Sequence, residues 1–333
     1  MGMGVSTTEL RESIKRAGSI RGAERALRKA GVQISERTIR RRLKDYEVSN
    51  VPELDVSELI ERRSQRYEVV KKQTEAAAHR RVYLRSNKPI GIGFQGDGHL
   101  DDDGTDVGLF FEHAELFNGT NDGLYLGFMG DIWNNWIGRL TKLWGNQTSN
   151  FEEALALVEH YCTNTDFLFF LLGNHDLWGG KEDILQYMIR AASTCDIVAK
   201  HQQKVTLVFP NKKEVTIYAR HKFPGNSMWM TQFGQLKTAQ LDGTADIYVG
   251  GDKHVSGYSN GVHPGTQRMF HAIQVASYKR IDEYPIELGL LPRDLYNCPV
   301  AIIDPAKDDL NMIRWEFDPF EAVERVQWER SRR

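Results

Sequence analysis

The chain has 333 residues, of which 41% are hydrophobic and 26% are charged, and its net charge is −2 at pH 7. This composition is typical of folded globular proteins and excludes a largely disordered chain. There is no run of about eighteen apolar residues, so the sequence predicts no membrane span and no membrane partner. The length allows two domains, or one large domain with a small appendage.

The start of the chain lacks a basic segment followed by an apolar one, so no secretory signal is predicted. The three cysteines, Cys162, Cys195 and Cys298, are odd in number and far apart. This argues against a disulfide framework and against a thiolate zinc site. We therefore expect an intracellular, cytoplasmic protein with reduced cysteines.

Residues 11–50 are strongly basic, with twelve Lys and Arg side chains against five Asp and Glu. Ser19 can cap a helix that ends near Gly31, and Ser35 can open a second helix in which Ile39 and Leu43 share one face. The pattern predicts two short helices joined by a glycine-bearing turn.

The segments Gly18–Leu27 and Ser35–Leu43 resemble the helix-turn-helix modules of DNA-binding proteins. The resemblance implies that the second helix contacts DNA, in or beside the major groove, through Arg37, Thr38, Arg40 and Arg41. A basic helical pair used for docking or oligomerisation is the alternative.

Three regions follow from these patterns. Residues 1–48 form the basic module. Residues 49–88 are charged and helix-favouring, which predicts a helical linker that ends before Lys88-Pro89. Residues 89–333 form a second, larger domain.

In that larger domain, apolar strand patterns alternate with helical ones. Strands are predicted at Ile90–Gly96, Leu124–Met129 and Phe167–Leu172, with helices at 106–117 and 151–163 between them. Two further runs, at 205–209 and 215–219, predict a hairpin, and the run at 245–249 predicts another strand. The alternation indicates a layered α/β fold.

Polar residues follow five of the predicted strands, where layered α/β folds place their chemistry. They form a mixed oxygen and nitrogen donor set that suits Mn²⁺, Fe, Zn²⁺ or Mg²⁺. Taken singly, each could be a capping or hydrogen-bonding group instead. The set comprises Asp97, His99, Asp131, Asn174, His175, Asp176, His221, Asp252 and His254.

The order of these blocks, from Asp97-Gly98-His99 through Gly173-Asn174-His175-Asp176 to Gly251-Asp252-Lys253-His254, resembles the calcineurin-like metallophosphoesterases. That family implies a four-layer α/β/β/α sandwich with a binuclear metal centre at the strand ends. The fusion with a helix-turn-helix-like module resembles phage-encoded proteins of this family, in which case the protein would act in the host cell.

The resemblance implies how two divalent cations, with Mn²⁺ favoured, would be held. Asp97, His99 and His254 would bind one of them. Asn174 and His221 would bind the other, and Asp131 would bridge the two. Asp252 stands where the family has a histidine. A carboxylate there could ligate and favour harder cations, or it could only contact a bound water.

The resemblance also implies a catalytic His175 that does not bind metal but donates a proton or hydrogen bond to the phosphate or leaving oxygen. Asp176 would fix the tautomer of His175. Asn134, Arg220 and Lys222 are weaker candidates for substrate contacts.

We therefore expect a metal-dependent phosphoesterase that cleaves phosphodiesters in nucleic acid or nucleotides, with the basic module binding DNA. One alternative is a phosphomonoesterase acting on nucleotides or proteins. Another is a non-catalytic DNA-binding or assembly protein built on a phosphoesterase scaffold.

Overall fold

The computed structural model describes residues 5–49, 55–180, 182–191, 195–281 and 297–333. The chain forms two compact units, Met1–Lys71 and Lys72–Arg333. Among the described residues, no helix combines the length and the apolar character that crossing a membrane requires.

The first unit is helical. Its first three helices are α1 (Thr7–Ala17), α2 (Ile20–Lys29) and α3 (Glu36–Ser49). They contact one another and bury Leu10, Ala23 and Ile39, one residue from each helix. The two predicted helices are confirmed by α2 and α3, whereas α1 was not predicted.

Serine side chains begin these helices. The Ser19 hydroxyl accepts a hydrogen bond from the backbone N–H of Gly22 at 3.1 Å, and Ser35 does the same for Thr38 at 3.3 Å. Such caps satisfy N–H groups that have no partner inside a helix. The predicted helix starts are therefore confirmed.

The predicted helical linker is only partly correct. Helix α4 spans Val56–Ala77, but the chain then forms strand β1 (His79–Tyr83), which pairs in parallel with residues 204–208. Its side chains are mostly charged and exposed, and they do not alternate between apolar and polar, so the sequence pattern does not mark it as a strand. An edge strand can form without such a pattern because its backbone pairs with the backbone of a neighbouring strand. The prediction of helix beyond Ala77 is wrong, and residues 50–54 lie outside the described residues.

One sheet of the second unit contains the predicted parallel strands. Its strand order is β12-β11-β2-β3-β4-β5, and β2 to β5 run parallel. Strand β11 pairs antiparallel with both β2 and β12. The bounds are β2 Ile90–Gln95, β3 Leu124–Phe128, β4 Phe167–Leu172, β5 Val198–Lys200, β11 Val300–Ile303 and β12 Ile313–Glu316.

The other sheet has the order β1-β6-β7-β8-β10-β9. Strands β6 and β7 form the predicted antiparallel hairpin, and β7, β8 and β10 run parallel. The bounds are β6 Gln202–Val208, β7 Glu214–Arg220, β8 Ile247–Gly250, β9 Gly257–Val262 and β10 Met269–Gln274.

Apolar side chains from both sheets, among them Phe94, Phe169 and Val249, form a core between them. A second core joins the outer face of the first sheet to helices α5, α6, α8 and α10. A third joins the other sheet to α9. The four-layer α/β/β/α prediction is confirmed. The helix bounds are α5 Val107–Glu115, α6 Phe151–Asn164, α7 Asn174–Leu177, α8 Glu182–Ala191, α9 Phe233–Asp242 and α10 Pro319–Ser331.

Candidate metal centre

Side chains that follow four different strands converge on one place. The potential ligand atoms of Asp97, His99 and His254 lie within 4.8 Å of one another, and so do those of Asp97, Asp131 and His221. Parallel strands bring their carboxyl ends to the same edge, which explains how residues so distant in sequence meet. Asp97 belongs to both groups.

The backbone at these positions is unusual. Asp97, His99, Asp131, Asp252 and His254 all have positive φ angles, between 42° and 70°. Few residues other than glycine adopt this left-handed region, although Asp and His do so more readily than most. Sharp turns of this kind directly after a strand let one loop present two polar side chains, and such strain is concentrated at functional sites.

Glycines allow the loops to approach one another. A Cβ atom at Gly173 would lie 2.2 Å from an Asp131 carboxylate oxygen, and one at Gly251 would lie 2.6 Å from an Asp97 carboxylate oxygen. Gly130 has a φ of 102° and faces the backbone of Gly173 just as closely. Side chains at Gly173 and Gly251 would displace these two carboxylates, and one at Gly130 would clash with the backbone of Gly173.

His221 has one ring nitrogen that needs a positively charged neighbour or a proton. Its Nδ1 lies 2.8 Å from the backbone carbonyl of Met129, so Nδ1 carries a hydrogen. Its Nε2 lies 3.1 Å from Asp131 Oδ2 and 3.1 Å from Asn174 Oδ1. In a neutral ring, Nε2 would be a lone pair facing two oxygen lone pairs. A cation bound between these three atoms removes that conflict.

The pKa values describe the same conflict in the absence of a cation. Burial works to lower the pKa of His221, but the adjacent Asp131 carboxylate outweighs it and raises the pKa to about 10. Burial likewise opposes ionisation of Asp131, and the charge of His221 nevertheless holds its pKa below the usual range. A proton on His221 here takes the place that a metal ion would fill.

The other group presents nitrogen donors. The Nε2 atoms of His99 and His254 are 3.2 Å apart, and Asp97 Oδ1 is 3.7 Å from His254 Nε2. Burial and the proximity of His254 lower the pKa of His99 well below its usual range, which keeps its ring neutral. Nδ1 of His99 is buried without a hydrogen-bond partner among the described residues.

Asp97 is fully buried, and burial raises its pKa well above the usual range, with the nearby charge of Asp131 adding to the effect and that of His221 opposing it. A buried carboxylate of this kind is costly unless a cation compensates it. Oxygen and imidazole donors without thiolate suit divalent metal ions. The two donor groups therefore fit divalent cations.

The family resemblance implies a bridging role for the carboxylate of Asp131, which lies in one of the two donor groups. The two groups share Asp97, whereas Asp131 belongs to only one of them. The Oδ1 atom of Asp131 accepts a hydrogen bond from the backbone N–H of His175 at 2.9 Å, which leaves Oδ2 facing His221. A bridging role for Asp131 stays a prediction.

Asp252 lies at the margin of the centre and belongs to neither group. Its Oδ2 forms an ion pair with Lys222 Nζ at 2.8 Å, and its Oδ1 is 3.9 Å from His221 Nε2. Its backbone N–H donates to the Asp97 carboxylate at 3.0 Å. The backbone of Asp252 therefore orients Asp97, and ligation by its side chain stays a prediction.

His175 lies beside the centre but outside both groups. Its Nδ1 is 2.5 Å from the backbone carbonyl of Asn134, and its Nε2 is 3.9 Å from Asp131 Oδ2. The ring packs on Trp178 with 4.1 Å between ring centroids. The sequence showed Trp178 close to the motif, but nothing in it indicated that the two rings would pack together.

The prediction that Asp176 fixes the tautomer of His175 is wrong. The Asp176 carboxylate accepts hydrogen bonds from the backbone N–H groups of Asp131, Ile132 and Gly173 at 2.8–3.0 Å. Because helix α7 begins immediately after β4, its first turn directs this carboxylate back toward the loops. Burial raises the pKa of Asp176 to about 7, and the charge of Asp131 contributes. Asp176 therefore joins the loop that follows β3 to the loop that follows β4.

The weaker substrate candidates have protein partners. The Asn134 side chain donates to Asp102 at 3.0 Å, which joins the loop after β3 to the loop after β2. Arg220 lies over the ring of Phe223, 5.6 Å from its centroid. Lys222 pairs with Asp252, although its side chain is largely exposed. A contact between any of them and substrate stays a prediction.

The four candidate DNA-contacting residues lie on α3 in the first unit. Arg37, Arg40 and Arg41 are exposed, and Thr38 is half-buried. Arg40 pairs with Glu36 at 2.7 Å, one turn earlier on the same helix. The exposed arginines form a basic helix surface.

No protein-family model matches the chain, and no curated protein sequence does. Several solved structures are similar to it at low identity. A conserved uncharacterised protein of Streptococcus pneumoniae, a predicted phosphoesterase, has 13% identity and a TM-score of 0.29, covering 69% of this chain and 98% of its own. The calcineurin-like phosphoesterase YfkN of Bacillus subtilis has 11% identity and a TM-score of 0.35, covering 74% and 97%.

A third similar structure is Vps29 of Entamoeba histolytica in complex with Zn²⁺, with 12% identity and a TM-score of 0.30, covering 68% of this chain and 97% of that one. Similarities at this level do not establish membership of a family. The chemistry of the centre follows from its own residues.

Proposed function

We propose that this protein is a metal-dependent phosphoesterase that hydrolyses phosphodiester bonds in nucleic acids or nucleotides. The observation that carries the proposal is the pair of donor groups that share Asp97. Two adjacent sites for divalent cations are suited to an anionic ester, which repels hydroxide and whose transition state gathers negative charge.

In this proposal, Asp97, His99 and His254 hold one cation, Asn174 and His221 hold the other, and Asp131 bridges the two. When bound, such cations lower the pKa of water and offset the negative charge of the phosphoryl oxygens. The positive-φ turns and the glycines keep the donor atoms in place before any cation binds.

In this proposal, His175 acts as the general acid. With Nδ1–H directed to the carbonyl of Asn134, Nε2 is the nitrogen that faces the centre. A protonated Nε2 can donate a hydrogen bond to a phosphoryl oxygen, or a proton to the leaving alkoxide. Packing against Trp178 restricts rotation of the ring.

We also propose that the first unit binds DNA through α3. The exposed arginines on this helix support the proposal, as does the excess of basic residues in 11–50. Binding of duplex DNA should weaken steeply with salt, because it depends on the release of counterions. Deletion of residues 1–48 should abolish it, and unchanged binding after that deletion would contradict the proposal.

The catalytic proposal is tested with bis-p-nitrophenyl phosphate and p-nitrophenyl phosphate in added Mn²⁺, together with elemental analysis of the bound metal. We expect two metal equivalents and turnover of the diester. Turnover of the monoester alone would indicate a phosphomonoesterase.

The second candidate is a non-catalytic scaffold. The observation that favours it is the ion pair between Lys222 and Asp252. In this pair, the lysine binds the carboxylate that could otherwise complete the ligand set of the cation held by Asn174 and His221. Metal binding without turnover of either ester would support this scaffold and contradict the phosphoesterase.

A further inference from the structure

A loop beside the metal centre exposes two large apolar side chains. It lies between His221 and helix α9, and its Met228 and Trp229 are 81% and 86% exposed. These are the two most exposed large apolar side chains in the part of the chain that the structure describes. Adjacent exposed apolar residues at the rim of a site indicate a ligand that covers them.

The loop is attached to the metal centre at both ends. Lys253 lies between Asp252 and His254, and its Nζ donates to the backbone carbonyls of Gly225 at 3.2 Å and Thr231 at 2.9 Å. Thr231 lies two positions after Trp229, a chain length of at most about 7 Å. The backbone that carries the indole is therefore tied to the segment Asp252–His254, which contains two of the candidate ligands.

The tip of the loop is ordered by its own serine. The Ser227 hydroxyl accepts hydrogen bonds from the backbone N–H groups of Trp229 and Met230, both at 3.2 Å. At its base, Thr231 donates to the carbonyl of Ser256 at 2.6 Å. The turn thus holds Trp229 outward instead of letting it fold onto the apolar core.

We propose that Met228 and Trp229 form a stacking platform for an unpaired base next to the phosphate at the metal centre, so that the substrate is single-stranded nucleic acid. The inference rests on the proposed phosphodiesterase function. A base adjoining the reacting phosphate must lie near that phosphate, and this loop begins after His221 and is tied to the segment Asp252–His254. Every base has a flat face that an indole can cover, but in a duplex those faces are already stacked on neighbours.

The test compares two fluorescein-labelled oligonucleotides of equal length, a single-stranded oligothymidylate and its abasic counterpart, by fluorescence anisotropy. The full-length protein is kept free of metal with EDTA, so that nothing is hydrolysed. Any contacts that the proposed DNA-binding unit makes would be to phosphates, which both oligonucleotides carry, and the ratio of the two affinities therefore isolates the contribution of the bases.

We expect wild-type protein to prefer the base-containing strand about 5- to 150-fold, as stacking of about 1–3 kcal/mol per base implies. Trp229→Ala should reduce the ratio to near one, and Trp229→Phe should keep most of it. Trp328→Ala is the matched control, since Trp328 is another exposed tryptophan, on α10.

An unchanged ratio in Trp229→Ala, or equal binding of both strands by wild-type protein, would overturn the inference. Because the measurement needs neither metal nor turnover, its outcome is separate from that of the ester hydrolysis assay. A protein that lacks phosphoesterase activity could still show the platform, and an active one could lack it.

Discussion

The Nδ1 atom of His175 lies 2.5 Å from the backbone carbonyl oxygen of Asn134. A carbonyl oxygen only accepts, so this contact places the ring hydrogen on Nδ1 and leaves Nε2 facing the metal centre. The backbone N–H of His175 also donates to Asp131. His175 is therefore fixed by a loop that carries a metal-ligand candidate, without being a ligand candidate itself.

Replacing His175 should separate metal binding from catalysis. We expect His175→Ala to keep its metal, because the residue belongs to neither donor group. Turnover of bis-p-nitrophenyl phosphate should fall about 100- to 10,000-fold, the usual contribution of a general acid. Elemental analysis and initial rates check the two parts, with the exposed His160→Ala as control. Loss of metal from His175→Ala would contradict the assignment.

A methyl group at Gly173 should damage the centre by sterics alone. The added Cβ would lie 2.2 Å from Asp131 Oδ1, while the φ of this residue is negative and permits alanine. We expect Gly173→Ala to displace Asp131 and to weaken Mn²⁺ binding at least tenfold, measured by isothermal titration calorimetry. Gly108→Ala is the control, since its Cβ would have an ordinary contact at 3.6 Å. Wild-type affinity in Gly173→Ala would show that Asp131 is dispensable.

The ion pair of Lys222 with Asp252 should compete with cation binding. Lys222→Met keeps the aliphatic stem and removes the ammonium that lies 2.8 Å from the carboxylate. Because the lysine is exposed, we expect a gain of about 0.5–1 kcal/mol, or about two- to fivefold in Mn²⁺ affinity. Calorimetry measures it, with the exposed Lys237→Met as control. If Asp252 makes no contribution to the centre, both variants will bind Mn²⁺ as wild-type protein does.

His271 should make the stability of the fold depend on pH. Its Nδ1 lies 2.8 Å from the Tyr258 hydroxyl, and burial lowers its pKa to about 4. In the unfolded chain the group titrates near its ordinary pKa of about 6.5. Between pH 6.5 and 4, the unfolded state therefore binds a proton that the folded state does not, and stability is lost as the pH falls.

At pH 4.5 this loss amounts to about 2 kcal/mol relative to pH 7. His271→Asn should reduce the difference in unfolding free energy between the two pH values by about that amount. Urea titrations in EDTA measure it, and the exposed His160→Gln should leave the difference unchanged. A His271→Asn protein with the full wild-type loss on acidification would show that the fold does not lower the pKa of His271.

Local patterns in the sequence were enough for most of the architecture. The apolar run Phe167–Leu172 is a strand with every residue buried, and the periodic segment from Phe151 is helix α6. Serine caps marked the starts of α2 and α3. Each of these features depends on residues close together in the chain, which is why pattern and propensity were sufficient.

Other features depend on partners distant in sequence. Strand β1 exists because the backbone of residues 204–208 lies beside it, and its own charged side chains give no sign of this. The sequence placed Asp176 beside His175, but the fold turned its carboxylate to the backbone N–H groups of Asp131 and Ile132.

The sequence by itself determined the residue types at the strand ends and, through them, the kind of chemistry that the centre supports. Only the tertiary structure decided that Asp97 is common to both donor groups, that Asp252 pairs with Lys222, and that Trp229 stands at the rim. The physical reason is that these relationships are set by turn angles and close loop contacts. Those depend on how two sheets pack, and no local stretch of the chain encodes that packing.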